Sequence, residues 1–195
     1  MKLKQVEAII KARKVFTTFT TESAQWVGDL GAMYPIYDLP HLTEDNLLTM
    51  WDVPEDKRDK WQYVTNGYAP EMFRDDVLGD HLLERGMTPL CINGAIAEPI
   101  KTEQGVIFIN QRYLRPFENL ENGYELYFRQ LPGKSPIIAV KEGYSLIGII
   151  APMDVIKPGF VEDLDQLVRL MRLSLENNVL AAARAAEKEE EENNS

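Results

Sequence analysis

The chain contains a single cysteine, Cys91, and only two histidines, His41 and His81. One cysteine excludes an internal disulfide, and its apolar neighbours Leu90 and Ile92 indicate a buried thiol in a strand rather than a nucleophile. Neither histidine has a second ligand at metal spacing beside it. The sequence therefore predicts no disulfide, no metal centre and no cofactor.

Long hydrophobic runs and a signal peptide are also missing. No apolar stretch approaches the roughly 20 residues that span a bilayer, and Met1 leads straight into a charged amphipathic segment. We therefore expect a cytoplasmic protein without membrane contact. The chain has 195 residues, of which 45% are hydrophobic, and this is enough for one domain of ordinary size with its own core.

Positive charge is scarce, because the net charge of the chain is −10 at pH 7. Such a balance argues against a general nucleic-acid binder, since phosphate contacts need clustered Lys and Arg. Much of the excess, however, comes from the acidic run at residues 187–192. The local sign of the charge therefore matters more than the sum.

The sequence contains no recognisable catalytic motif. Asp75, Asp76 and Asp80 cluster near His81 in an amphipathic stretch, residues 71–85, which we interpret as an acidic, solvated helix face. Asp75, Asp76 and His81 are the best candidates for acid–base chemistry, yet no orienting partner or positioned nucleophile accompanies them. The chain is therefore predicted not to be an enzyme.

Two segments of the chain share one order of elements. Apolar spacing predicts a helix at residues 2–13 and another at about 111–120, and strand-like runs follow each of them. The expected strands are residues 15–20, 25–28 and 32–36 after the first helix, and 124–131, 136–141 and 144–151 after the second. The pattern predicts an α+β fold with a duplicated helix-plus-three-strand unit, and chance similarity is the alternative.

The turns and the connecting region have their own signals. A turn at Asp29-Leu30-Gly31 is expected to take Gly31 to positive φ, and Pro35 favours a sheet edge or a strand end. Residues 39–100 are interpreted as a helical insertion, in which Thr43 is a good N-cap for a first helix. A tight turn at Asn93-Gly94 predicts two short strands within residues 88–100.

A long helix is predicted after the breaker Lys157-Pro158-Gly159, from about residue 160 to residue 188. Its apolar side chains fall on more than one stripe, which is typical of a helix that packs on a domain or on a partner. We therefore expect a homo-oligomer. The candidate partner-binding residues are Leu164, Leu167, Met171 and Leu175. Residues 189–195 are expected to form an acidic, disordered tail, which leaves residues 1–156 as a single domain.

Three short motifs in the second unit carry a family resemblance. They are FINQRYL at residues 108–114, SPII at 135–138 and IAPM at 150–153. With the order of elements around them, they resemble a domain of the bacterial DNA polymerase sliding clamp. The resemblance implies a non-enzymatic, ring-forming processivity factor of DNA replication, whose helices line a channel around duplex DNA.

Basic residues on the two predicted helices agree with that expectation. The candidate DNA-binding residues are Lys4, Lys11, Lys14, Arg112 and Arg115, and ordinary surface positions are the alternative. A ring that is acidic on its outer surface and basic on its inner surface would hold duplex DNA through its phosphates without reading sequence. The sequence departs from clamps after Met153, because the chain continues and Asp154 stands where clamps usually place a basic residue. Binding of client peptides, as clamps perform it, is therefore in doubt.

Two functions follow from these observations. The first is a non-enzymatic, clamp-like accessory protein that contacts duplex DNA non-specifically through phosphates. The alternative is a protein–protein interaction or assembly module, encoded by a phage or prophage, that works through the C-terminal helix.

Overall fold

The computed structural model describes residues 2–37, 39–65 and 68–193 and shows a mixed α+β protein with a large sheet and a C-terminal helix. The chain divides into two compact units, one through Met153 and one from Asp154 onward. No helix in the described ranges is long and apolar enough to cross a membrane.

Among the residues that the structure describes, the first unit contains two α-helices, three 3-10 segments and eleven strands. The helices are α1, Leu3–Arg13, and α2, Glu44–Met50, and the 3-10 segments are Glu55–Lys60, Pro70–Phe73 and Gln111–Phe117. The first strands are β1 Val15–Thr20, β2 Gln25–Gly28, β3 Ala32–Ile36, β4 Gln62–Tyr63 and β5 His81–Leu82. The remaining strands are β6 Leu90–Ile92, β7 Ala95–Thr102, β8 Gly105–Asn110, β9 Glu125–Arg129, β10 Ile137–Glu142 and β11 Ser145–Ile150.

Two antiparallel meanders form the centre of an eight-stranded sheet with the order β4-β1-β2-β3-β11-β10-β9-β5. The meander β1–β3 meets the meander β9–β11 where Met33 pairs with Ile149 and Ala32 with Ile150. Strands β6, β7 and β8 form a separate three-stranded sheet. Each meander therefore follows a helical segment, α1 in the first case and Gln111–Phe117 in the second.

One face of the large sheet is covered by both helical segments. Val6, Ile9 and Ile10 of α1 are buried in the same cluster as Tyr113 and Phe117 of the 3-10 segment. Glycines of the sheet make this approach possible, because a Cβ at Gly31 would overlap the Tyr113 hydroxyl and one at Gly148 would overlap the Phe117 ring. The two segments thus lie on one side of the sheet.

The connecting region packs against both faces and both edges of the sheet. Leu47, Leu48 and Trp51 of the α2 region join the first cluster, whereas Phe73 packs with Trp26 in a second cluster. The predicted capping by Thr43 is present, since its side chain accepts from the amide of Asn46. Strands β4 and β5 come from this region and form the two outer strands of the sheet. The turn at Asn93-Gly94 joins β6 to β7, as predicted.

The stretch 71–85 is not the predicted amphipathic helix. It contains the end of a 3-10 segment, an irregular stretch and β5, and Gly79 has a φ of +96°. Its Asp80 side chain is buried against Arg129, so the prediction of an acidic, solvated helix face was wrong for that residue. A contact between residues so distant in sequence leaves no local pattern.

Three smaller predictions also differ from the structure. The positive φ in the turn after β2 is taken by Leu30 and not by Gly31. Glycine is needed at position 31 for another reason, because a Cβ there would overlap the Tyr113 side chain. Cys91 lies in a strand as predicted but is exposed, since β6 is the outer strand of the smaller sheet. The second helical segment is a 3-10 segment that ends at Phe117, and Pro116 inside it lacks the amide that an α-helix needs.

Pro35 lies in β3 at the middle of the large sheet rather than at its edge. Strand β11 pairs only with Ala32 and Met33, so Pro35 stands beyond the end of that pairing. A missing amide is tolerated there because no ladder hydrogen bond toward β11 is lost.

The second unit contains helix α3, Pro158–Asn193, whose side chains are described through residue 182. Pro158 opens the helix rather than preceding it, which agrees with the tolerance of the first helical turn for proline. The backbone is helical through Asn193, where the sequence favoured a disordered tail from residue 189, and Glu is a good helix former. Residues 194–195 lie outside the described residues.

Candidate nucleic-acid interface

Helix α1 presents its polar face to solvent because its apolar residues lie on the opposite side. Val6, Ile9 and Ile10 are buried against the sheet, while Lys4 is exposed. The helix ends at Arg13 and is capped by Lys14, which takes the left-handed conformation with φ 54° and donates its amide to the carbonyl of Ile10. Lys4 and Lys14 are therefore exposed at the two ends of one helix.

Lys11 is less available than the sequence indicated. Its Nζ lies 2.6 Å from Oε1 of Glu7, one helical turn earlier. Glu7 falls on the same stripe as Lys4 and Lys11, because positions three and four apart are neighbours on a helix. The acidic residue therefore reduces the positive potential at the middle of the basic stripe.

Arg115 extends the basic face from the second helical segment. Its side chain is exposed, and the 3-10 segment lies beside α1, where the amide of Lys2 donates to the carbonyl of Pro116 over 2.9 Å. A cleft of about 370 Å³ separates the two segments, and its polar lining includes Gln5, Asn110, Arg112 and Arg115. Lys4, Lys14 and Arg115 form no ion pair with any other residue that the structure describes.

Arg112 is held by a buried carboxylate. Its Nη2 donates to Oδ2 of Asp29 over 2.8 Å, and the Asp29 side chain is 0% exposed. Its guanidinium also lies 4.8 Å from the centre of the Tyr113 ring and donates to the Tyr113 hydroxyl. The structure thus places Arg112 in an internal ion pair, which leaves only 29% of its side chain exposed.

Asp29 has three further partners, one of which is the amide of Gly31, which donates to its Oδ1 over 3.1 Å. The Tyr113 hydroxyl donates to its Oδ2 over 3.1 Å, and Arg13 reaches both its backbone carbonyl and, at 3.7 Å, its carboxylate. Burial first, and the Asp29 charge second, raise the pKa of Tyr113, so the phenol keeps its proton and remains a donor. The sequence identified Asp29 only as a turn residue. A turn signal carries no information on such distant partners.

The acidic candidates for catalysis are not brought together around a nucleophile. Asp75 accepts the amide of Leu146 over 2.7 Å, Asp76 is exposed, and His81 lies 3.9 Å from Glu103. Across the described part of the chain, no three His, Cys, Asp or Glu side chains are grouped so that they could hold a metal ion. Their arrangement gives no acid–base pair of defined geometry.

Asp80 belongs to a buried ionic cluster with Arg129 and Lys141. Both carboxylate oxygens of Asp80 accept from Arg129, over 2.8 and 2.6 Å, and Lys141 lies 2.9 Å from one of them. Arg129 is 0% exposed and also donates to the carbonyls of Met72 and Arg74. The cluster therefore fixes the irregular stretch to strands β9 and β10.

The candidate partner residues lie on α3 and remain largely exposed within that unit. Leu164 is half-buried, while Leu167, Met171 and Leu175 are 51%, 56% and 64% exposed. Side chains of this kind are rarely left in water as a continuous patch on a monomer. These side chains therefore form an apolar patch that the unit itself leaves uncovered.

No family model, curated protein or solved structure matches this chain.

Proposed function

We propose that this protein is a non-enzymatic accessory factor that contacts duplex DNA through the face formed by α1 and the 3-10 segment Gln111–Phe117. The observation that carries the proposal is the placement of these two segments. They lie side by side on one face of the large sheet, and each leads into a three-stranded meander.

The two meanders support a duplicated, clamp-like unit. Their order in the sheet, β1-β2-β3 followed by β11-β10-β9, is the order that an approximate two-fold axis between β3 and β11 would generate. In a clamp-like arrangement, the paired helical segments are the elements that face the DNA. A duplicated unit therefore explains why both segments cover the same face.

The charges of that face support phosphate contact without sequence reading. Lys4, Lys14 and Arg115 are exposed there, in a chain whose net charge is −10. Arg112 contributes less, because its guanidinium is bound to Asp29. Phosphate contacts of Lys and Arg position a protein on DNA, whereas contacts to base edges would be needed for specificity.

The test is binding of a fluorescently labelled duplex by the full chain at low salt, measured by fluorescence anisotropy. The charge-reversal variant K4E/K14E/R115E should bind at least tenfold more weakly than wild type, because three cations are replaced by anions. The matched control R74E/K101E/K134E changes the same charge at exposed cations that belong to neither segment and do not line the cleft between them, and it should retain most of the affinity. Equal losses in both variants, or no binding by wild type, would refute the proposal.

A second function, assembly through α3, is favoured by a separate observation. Leu167, Met171 and Leu175 are each more than half exposed on a helix that forms a compact unit of its own. Burial of such side chains is worth about 1.5–3 kcal/mol each, so a partner that covers them would bind favourably. Under this proposal the full-chain variant M171E has a lower native mass on sizing and light scattering than wild type, and an unchanged mass would refute it.

A further inference from the structure

One series of apolar side chains on α3, exposed except for the half-buried Leu164, follows a spacing of three and four residues. The positions are Val161, Leu164, Val168, Met171 and Leu175, and the next position in the series is Asn178. Apolar residues with this 3–4 spacing form the seam along which two helices make knobs-into-holes contacts. Leu170, Leu173 and Leu180 are also exposed, but they lie away from the seam on the opposite side of the helix.

The charges that flank this seam are distributed unevenly along the helix. The first turns carry Glu162, Asp163 and Asp165, and the following turns carry Arg169 and Arg172. Asp165 and Arg172 are seven residues apart, so they flank the same side of the seam with opposite signs. Asp165 already pairs with Arg169 of its own helix, at 2.7 Å.

We propose that α3 pairs with α3 of a second copy of this chain in antiparallel orientation, about an axis that passes between Arg169 and Leu170. This inference rests on the assembly function proposed above and names the partner and the register. In this register Val168 packs against Met171 of the second copy, and Leu164 against its Leu175.

The register aligns the charges as well as the apolar side chains. The same symmetry that pairs Leu164 with Leu175 places Asp165 opposite Ser174 of the second copy and only about 3 Å along the helix axis from Arg172 on the same flank, and this contact occurs twice. Asp165 then lies between two arginines, one from each helix. Exposed ion pairs contribute only about 0.2–1 kcal/mol each, so they select the orientation while the apolar seam supplies most of the affinity.

The parallel arrangement has no such match. It would place the acidic turns with Glu162, Asp163 and Asp165 beside the same turns of the second copy. Like charges placed together destabilise the wrong pairing, which is how flanking residues set the orientation of paired helices. The antiparallel pairing instead places residues 162–165 opposite residues 174–177, of which only Glu176 is acidic, so the two acidic turns are kept apart.

The decisive experiment mixes two charge-reversal variants of the full chain and follows the monomer–dimer equilibrium by sedimentation. D165R carries arginine at both flanking positions, and R172D carries aspartate at both. Each variant alone should dimerise about tenfold more weakly than wild type, since two attractive pairs become repulsive. An equimolar mixture should recover the wild-type affinity, because both contacts between the unlike chains are again of opposite sign.

Recovery in the mixture cannot come from a damaged helix, because each chain keeps its own substitution. Failure of the mixture to recover would overturn the antiparallel pairing.

Two further variants separate this failure from failure of the assembly function. M171E changes the seam and should dissociate the dimer, whereas the matched control L173E changes the opposite side and should not. If M171E dissociates the dimer but the mixture fails to recover, α3 still assembles and only the proposed register is wrong. If wild type is monomeric, both proposals are wrong.

Discussion

The two meanders of the large sheet have the same strand order but different polar anchors. In the first, Asp29 follows β2 and is bound by Arg112 and Tyr113 of the second half of the chain. In the second, Lys141 near the end of β10 is bound by Asp80 of the connecting region. One buried carboxylate therefore joins the two halves to each other, and the other joins the second half to the connecting region.

The difference lies in how far the cations are removed from water. Arg129 is fully buried around Asp80, whereas Arg112 and Arg13 keep 29% and 44% of their side chains exposed around Asp29. Exposed cations can regain water when their partner is lost, but buried ones cannot. Asp80 therefore stabilises the fold, while the residues bound to Asp29 also set the charge of the proposed DNA face.

The largest effect is expected from D80N. The substitution leaves the charges of Arg129 and Lys141 buried without a carboxylate, and breaking a buried pair in this way costs about 3–5 kcal/mol. Urea denaturation should show the loss in the free energy of unfolding. The control D76N changes an exposed aspartate close by and should change that free energy by less than about 0.5 kcal/mol.

The same cluster should show a defined dependence on pH. Burial alone would raise the pKa of Asp80, but hydrogen bonds from Arg129 and Lys141 and their charges outweigh it, so the pKa is lowered. A carboxyl with a lowered folded-state pKa contributes stability above its unfolded pKa, about 3.9, and loses it as the pH falls through the folded pKa. The difference between wild type and D80N should therefore narrow below about pH 4. A constant difference down to pH 2 would contradict this cause.

A smaller loss is expected from D29N. The amide keeps the shape of the side chain but no longer balances Arg112, and hydrogen bonds to charged groups contribute about 1.5–3 kcal/mol. Because both arginines are partly exposed, we expect a destabilisation near the lower end of that range. E142Q is the control at the corresponding turn of the second meander. A loss with D29N as large as that with D80N would remove the contrast between the two anchors.

The smallest effect concerns the basic stripe of α1. E7Q removes the carboxylate that pairs with Lys11 and should tighten duplex binding by a few fold at low salt, because one more cation faces the phosphates. The measurement is anisotropy of the labelled duplex. The control is E118Q, which removes an equal charge from an exposed residue just after the second helical segment. Weaker binding by E7Q would show that Lys11 does not face the DNA.

Local signals predicted most of the strands. The predicted ranges 15–20, 25–28 and 32–36 agree with β1, β2 and β3, because β-branched residues and turn residues alternate there over short distances. The helix predicted at 111–120 was shorter and of 3-10 type, since Pro116 interrupts it. Residue propensities and turn residues are local properties, and they suffice to predict an element whose structure depends on local sequence.

The polar anchors could not be predicted in the same way. Arg112 is adjacent to Tyr113 in sequence, but its carboxylate partner Asp29 lies 83 residues earlier. Asp80 is likewise far from Arg129, and its acidic neighbours made the whole stretch resemble a solvated face. Such contacts depend on the final packing of the sheet, and a single sequence does not encode them in any local pattern.

The salt dependence of duplex binding tests the central claim most directly. Each phosphate contact contributes about −0.9 to the slope of log K against log salt concentration, so neutralising Lys4, Lys14 and Arg115 as glutamines should reduce the slope by about 3. The matched variant R74Q/K101Q/K134Q should keep the wild-type slope. A wild-type protein that binds no duplex at about 50 mM salt, or two variants with the same slope, would contradict the proposed DNA face.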